Sequence, residues 1–532
     1  MKRTKRLASL LLAIVLVFAL ATTAFAATVS NGTSHSYKAY QIFKGTQEDN
    51  SVPLGDVEWG TGINSDAFLA ALKGDSRIGS IFASCSTAAD VAAVLGATDT
   101  NGALLYPDKS DVANAFANVA AAHLTDTFTT IAAGANNVDL SAGYYLLVDA
   151  GAVTGNDAYN SALLQVTNKG DITIEKKYSV PAVDKGIVNG DSLVEADDVH
   201  IGDDVTFRLT GTLPSNYADY ETYFYQFNDK LSNGLKYNGD AKVYVVNNGV
   251  KTEITGSFTI DPASAATTGG GTLTVTCNNL KAIASVTKDS SIVVEYTAEL
   301  TSAAEIGQPG NDNTVTLKYS NNPNYHEAGT PPTGETPEDK VLVFTYELDV
   351  TKIDGQDPSK KLKDAEFVLL NSDKNKVAKV ADGKFVEWVD VSNVTVNSDG
   401  TYPADYTLKS ATTTGFFSIA GLDAGTYYLK ETKAPAGYNL LKDPIKIVIT
   451  ATLDNSEDNP ALKGLTISVD DGTAQNGNLD TGVVATDVKN NSGATLPETG
   501  GMGTTLFYVL GGVLVVGAVV LLVTKKRMSA EK

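Results

Sequence analysis

Between residues 27 and 491 the chain is a succession of short runs in which apolar and polar positions alternate, broken by clusters of Gly, Asn, Asp and Ser. Ala241–Val246, Gly271–Cys277, Ser291–Leu300, Thr314–Tyr319 and Lys446–Ala451 carry this period of two, the pattern of strands with one buried face. Strands at this spacing, without long helices between them, predict an all-β chain of antiparallel sandwiches. Residues 64–125 depart from the rule. There Asp66–Leu72, Ala88–Leu95 and Asp111–Leu124 are Ala-rich with helical spacing, which predicts a helical insertion on a β framework.

Turn residues divide the row into three domains. Asn168-Lys169-Gly170-Asp171 separates Ser161–Thr167 from Ile172–Lys177 and closes a first domain, 27–170. Pro331–Pro337 reads as a loop, and Val341–Ile353 beyond it as one long strand-like stretch holding the second boundary, near Tyr346. The middle domain is then 171–346 and the third 347–491, with Ser492–Thr495 as a tether.

The two ends are of another kind. Residues 1–26 join a basic start, an apolar run Leu10–Leu20 and a small-residue close, Ala24-Phe25-Ala26, which is the form of a secretory signal cut after Ala26. Leu506–Val523 is an uncharged apolar run of 18 residues, long enough to cross a bilayer, and Lys525-Lys526-Arg527 keeps its far end cytoplasmic. Immediately before the span stands Leu496-Pro497-Glu498-Thr499-Gly500. The pentapeptide, the span and the basic stop, in this order, resemble the sorting signal of Gram-positive surface proteins. The resemblance implies a sortase cysteine that attacks the Thr499–Gly500 bond and passes the Thr499 carbonyl to an amine, leaving a cell-wall-anchored product with no span.

Composition narrows the chemistry. The 532 residues hold 41 Lys+Arg against 62 Asp+Glu, a net charge of -21, and because both ends are basic the middle is more acidic still. Such a surface repels nucleic acid. Two cysteines, Cys85 and Cys277, and four scattered histidines exclude a disulfide scaffold and a zinc cluster and leave little for histidine catalysis. No cofactor and no metal is expected. Acid pairs such as Asp197-Asp198 and Asp203-Asp204 read as turn carboxylates.

The informative residues are polar ones on faces that should be buried. In Leu348–Lys352 the period of two puts Lys352 with Leu348 and Val350; in Tyr427–Glu431 it puts Glu431 with Tyr427 and Leu429; Asn490 shares a face with Val488. A buried lysine is paired or neutralised. One reading is a Lys–Glu ion pair with an asparagine beside it. The other is covalent: a neutral Lys352 attacks the Asn490 carboxamide, which a protonated Glu431 polarises, and an isopeptide forms with loss of ammonia.

The string YYLKETKAPAGYNL, Tyr427–Leu440, resembles the E-box of sortase-assembled pilins and of the B-type repeats of collagen adhesins. The resemblance implies tandem immunoglobulin-like, Cna-type β-sandwiches and a Lys352–Asn490 isopeptide promoted by Glu431. Asn491 is the fallback partner but has the wrong parity. In the middle domain Lys185 lies with Val183 and Ile187, Asp229 with Phe227 and Leu231, and Asn313 with Val315 and Leu317. Ile201–Phe207 and the string FNDKLSNGLKYNG, residues 227–239, resemble the middle domain of pilus shaft subunits. This implies a Lys185–Asn313 bond with Asp229 as the promoting acid; Asn321 has the same parity and competes. The first domain's Gly143–Asp149 resembles an E-box strand but has Leu147 in place of the acid, so no bond is expected there.

A shaft subunit also needs an accessible amine, which the family places in a Tyr-Pro-Lys-Asn-like motif. The matching stretch here is Ile172-Thr173-Ile174-Glu175-Lys176-Lys177-Tyr178, without the Tyr-Pro pair. Strand parity puts Lys176 with Ile172 and Ile174 and Lys177 on the polar face, so Lys177 is the expected linking residue and Lys176 the second choice. The resemblance as a whole implies a major pilin, not an enzyme, on the cell surface. Its partners would be pilus-type and wall-anchoring sortases, identical subunits head to tail, minor pilins and peptidoglycan. The alternative is a monomeric wall-anchored adhesin whose ligand module would lie in 27–170.

Overall fold

A computed structural model describes residues 26–46, 54–107, 110–160, 162–166, 172–176, 178–325, 330–457, 459–493 and 502–528. The secretory signal, the turn at 168–171, Lys177 and the pentapeptide 496–500 lie outside the described residues.

In the first domain the strand Ala26–Asn31 lies between Val138–Ser141, antiparallel, and Ile172–Ile174, parallel. A second sheet runs Gly55–Trp59, Tyr37–Thr46, Gly143–Asp149, Ala162–Val166, with Thr129–Ile131 also paired to Tyr37–Thr46. The predicted insertion is helical: Ser65–Gly74, Gly79–Phe82, Ala88–Leu95 and Asp111–Ala121. Local chemistry starts two of these helices. Thr87 and Asp90 form a reciprocal capping box, and the Ser110 side chain accepts from the Ala113 N–H. The last helix ends three residues earlier than its apolar pattern, because the His123 carbonyl accepts from Asn64 and Leu124 bridges to Ile63. Phe68, Phe82 and Phe116 pack on Phe43 and Leu146 of the sheet and bury the insertion's apolar faces.

The middle domain is a sandwich of two seven-stranded sheets. One holds Val183–Asn189, Asp204–Gly211 and Ser291–Leu300 side by side; the other holds Asp339–Phe344, Asn311–Ser320, Tyr225–Leu231 and Gly271–Cys277. Alternation places Phe207, Tyr225, Phe227, Val294, Leu317 and Val343 in one core between them.

Val341–Ile353 is two strands, not one. Asp339–Phe344 completes the middle domain, and Tyr346–Asp354 opens the third after the buried Thr345. In the third domain Tyr346–Asp354 pairs antiparallel with Phe416–Leu422 and parallel with the closing strand Val483–Asn490. The remaining strands, among them Glu366–Leu370, Gly425–Lys433, Ile445–Asp454 and Ala461–Val469, continue the same sheet around Phe367, Leu369, Tyr427, Leu429 and Ile447. Ala196, Ile201, Leu342 and Phe344 of the middle domain enter this core as well, so the two domains are joined by apolar packing. Beyond the third domain, Met502–Met528 is a helix whose segment Phe507–Lys526 is long and apolar enough to cross a membrane.

Candidate functional site

The third domain's polar residues meet because three uninterrupted strands carry them inward. Tyr346–Asp354 buries Leu348, Val350 and Lys352; Gly425–Lys433 buries Tyr427, Leu429 and Glu431; Val483–Asn490 buries Val484, Val488 and Asn490. The parallel register sets Lys352 opposite Val488 and Asp354 opposite Asn490. Lys352 Nζ lies 2.6 Å from Asn490 Oδ1 and donates also to the Val488 carbonyl at 3.0 Å. Asn490 Nδ2 donates to both Glu431 oxygens, at 2.9 and 3.0 Å, and to the Asn439 carbonyl at 3.0 Å. Glu431 Oε2 accepts the Leu441 N–H at 2.8 Å, and its Oε1 lies 3.9 Å from Lys352 Nζ.

Lys352 and Asn490 are fully buried and Glu431 nearly so. Burial pulls the Lys352 amine down to about 8, with the Glu431 charge opposing it, and burial pushes the Glu431 carboxyl up. Both shifts favour uncharged forms, a nucleophilic amine and a proton-donating acid. The carboxyl stands on the amide nitrogen rather than on the carbonyl oxygen, so in this geometry its proton is at hand for the departing ammonia. The expectation had placed it on the carbonyl. Asn491 is exposed, as its parity requires.

In the middle domain the same kinds of residue face each other across two sheets. Lys185 comes from one sheet, Asp229 and Asn313 from adjacent strands of the other, with Asp229 opposite Val315 and Leu231 opposite Asn313. Lys185 Nζ contacts Asp229 Oδ1 at 2.8 Å and Oδ2 at 2.9 Å. Tyr296 bridges the set: its hydroxyl donates to Asp229 Oδ2 at 2.5 Å and accepts from Asn313 Nδ2 at 2.6 Å and Lys185 Nζ at 3.3 Å. All four residues are buried. Desolvation lowers the Lys185 pKa and raises that of Asp229, each opposed by the other's charge, and it holds Tyr296 protonated. Asn313 Oδ1 has no hydrogen-bond partner among the described residues. An unpaired buried carbonyl costs about 1–3 kcal/mol.

Tyr296 is a member that the sequence reading missed. The signal was its parity with Val294 and Ala298, which makes it a hydroxyl on an inward face, but an inward tyrosine reads as packing. Asn321 is buried elsewhere, donating to the Val153 and Asp157 carbonyls of the first domain at 3.2 and 3.3 Å. Leu147 lies in a small apolar core with Val29, Tyr37 and Ile174. Cys85 and Cys277 are buried free thiols in different cores. Lys176 departs from its expected place: the strand stops at Ile174, alternation does not reach it, and its side chain is 47% exposed.

Comparison with known proteins bears on the fold and on the anchor. Residues 346–459 match the SpaA prealbumin-like fold domain, and residues 488–529 match the LPXTG cell wall anchor motif. The chain is 25% identical over 463 residues to the trypsin-resistant surface T6 protein of Streptococcus pyogenes serotype M6, covering 73% of this chain and 79% of the relative. The chain thus resembles a Gram-positive surface protein over most of its length and carries a match to the LPXTG cell wall anchor motif. A 110-residue segment of the chain is 32% identical to the fimbrial subunit type 1 of Actinomyces viscosus, covering 21% of this chain and 17% of that one. The T6 backbone pilin of Streptococcus pyogenes, a modular three-domain structure, superposes with a TM-score of 0.52 at 16% identity, covering 89% of this chain and all of that one. That likeness establishes a shared fold of tandem β-sandwich domains.

Proposed function

We propose that this chain is the shaft subunit of a covalently polymerised pilus, stabilised by intramolecular Lys352–Asn490 and Lys185–Asn313 bonds. A sortase cuts Thr499–Gly500 and joins the Thr499 carbonyl to a lysine of the Glu175–Tyr178 segment in the next subunit. The pilin is a substrate in this scheme and not an enzyme, since each internal bond forms once. Glu431 and Asp229 are the acids that promote the internal bonds.

The observation that carries the reading is the Lys352–Asn490–Glu431 set. It bridges the opening and closing strands of the domain that precedes the anchor, so tension entering at either end would cross a covalent bond rather than a ladder of hydrogen bonds. The middle-domain set supports the same reading less directly, because Tyr296 stands between the acid and the carboxamide.

The test is expression with its sorting signal in a sortase-bearing Gram-positive host. A high-mass ladder on denaturing gels is expected, lost when Thr499 is changed or when Lys176 and Lys177 are both replaced by alanine. A single wall-bound species in the wild type would instead favour the monomeric adhesin.

A further inference from the structure

The middle-domain set differs from the third-domain one in how its acid reaches the carboxamide. In the third domain Glu431 takes the Asn490 nitrogen directly, at 2.9 and 3.0 Å. The middle domain has an aspartate in that role, one methylene shorter. Asp229 and Asn313 are diagonal neighbours on adjacent strands, since Asp229 pairs with Val315 and Leu231 with Asn313. Diagonal positions stand roughly 7–8 Å apart, and two short side chains that both enter the core leave a gap between their ends. Among the described residues no hydrogen bond joins Asp229 to Asn313; the Asn313 nitrogen donates to Tyr296 instead.

A single hydroxyl fills that gap. Tyr296 belongs to Ser291–Leu300, in the sheet that carries Lys185. Between the two strands runs Asp204–Gly211, with Phe207 opposite Tyr296 and Leu209 opposite Lys185. The Tyr296 ring is stacked on Phe207 with centroids 5.4 Å apart and meets Tyr237 edge-on at 5.7 Å, so packing fixes its direction. Its hydroxyl donates to Asp229 Oδ2 at 2.5 Å and accepts from Asn313 Nδ2 at 2.6 Å and Lys185 Nζ at 3.3 Å. A phenol has one proton to give and two lone pairs, and all three are engaged here. One oxygen thus touches the acid, the nitrogen that must leave and the amine that attacks. Core packing asks for none of these contacts, since a phenylalanine would fill the same ring space.

We propose that Tyr296 is a catalytic residue of the middle-domain condensation, relaying a proton from Asp229 to the departing Asn313 nitrogen. This rests on the internal-bond reading above and adds a residue to it. The step starts from the neutral amine and the neutral acid. Lys185 Nζ attacks Asn313 Cγ, and the C–N bond forms. The Tyr296 hydroxyl gives its proton to Nδ2 as it receives the Asp229 proton. The Cγ–Nδ2 bond breaks with its electron pair on nitrogen, and ammonia leaves. Asp229 Oδ1, 2.8 Å from the lysine nitrogen, takes the proton that this nitrogen sheds. The net change is one proton moved from Nζ to Nδ2, with Tyr296 and Asp229 both restored. Desolvation raises the Tyr296 pKa well above its ordinary value, so the hydroxyl gives and takes a proton together and does not stand as a phenolate.

The test follows bond formation in newly made secreted protein, residues 27–499, quenched in denaturant at intervals and mapped by peptide mass. Tyr296→Phe keeps the ring against Phe207 and Tyr237 and removes the hydroxyl. Closure of Lys185–Asn313 should slow about 100-fold, the scale of general acid–base catalysis, while Lys352–Asn490 forms at its wild-type rate in the same molecules. A Tyr296→Phe variant that closes as fast as the wild type overturns the relay and leaves the internal bond standing. A wild type that never joins Lys185 to Asn313 overturns the bond itself, and the relay with it. If near-ultraviolet dichroism shows Tyr296→Phe to be unfolded, 3,5-difluorotyrosine at position 296 decides the matter. It keeps the ring and the hydroxyl but makes the hydroxyl a stronger acid, so closure should quicken severalfold. Closure at the wild-type rate or slower would overturn the relay.

Discussion

Burial shifts both Lys352 and Glu431 toward their uncharged forms. Glu431→Ala removes the acid at the amide nitrogen, and the third domain of the variant should keep the mass of one ammonia that the wild type loses. Intact-mass analysis reads this directly. The unlinked domain should also titrate differently. Lys352 has a folded pKa of about 8, below its ordinary value, so between the two the unfolded chain binds more protons and stability rises with pH. Melting of Glu431→Ala should therefore shift upward between roughly pH 8 and 10, whereas a linked wild type, whose Lys352 nitrogen would be an amide, should show no such rise. Equal shifts in both would mean that the lysine never carried a proton-dependent burden. These residues were legible in the sequence because unbroken strands keep a strict period of two. Tyr296 was not, since an inward aromatic is indistinguishable from core packing until its hydroxyl is seen between Asp229 and Asn313. Lys176 was misread for the opposite reason: the period was extended two residues past the end of its strand.

The strands show what such a bond would do. Opening and closing strands of the third domain lie side by side in parallel, and a Lys352–Asn490 link would close a loop of 138 residues. By the chain-entropy argument used for disulfides, closing a loop of that length contributes on the order of 5 kcal/mol. Asn490→Ala should lose stability of that order, seen as a lower denaturant midpoint for the third-domain transition and as new protease cleavage within 346–491. An unchanged midpoint would mean that no bond closes the loop. Most of these strands could be anticipated from alternation alone, as could the helical insertion. The division of Val341–Ile353 could not, because no Gly, Pro or Asn interrupts it and only the change of partner strand at Thr345 separates the two domains.

At the scale of the whole molecule, the middle and third domains are joined by contacts that no local pattern announces. Gly307 and Gly482 approach so closely that a Cβ on Gly307 would lie 2.1 Å from the Gly482 nitrogen, and both have positive φ, +73° and +66°. Beside them Ala424 N–H donates to Asp198 at 2.7 Å and the Gln308 side chain to the Leu462 carbonyl at 2.7 Å. Gly482→Val should loosen this joint and raise the radius of gyration in small-angle scattering without altering the number of ammonia molecules lost. An unchanged radius of gyration would show that the apolar contacts of Ile201 and Phe344 suffice on their own. Such pairings join residues more than a hundred positions apart and are set by three-dimensional closeness, which explains why the joints were invisible in the sequence while the domains were not.

The most direct test of the account is the intact mass of the recombinant secreted region, residues 27–499, measured under denaturing conditions. The account predicts a mass lower than the translated sequence by two ammonia molecules, with Lys352 joined to Asn490 and Lys185 to Asn313 in the peptide map. The full translated mass, with all four residues recovered in separate unlinked peptides, would contradict it.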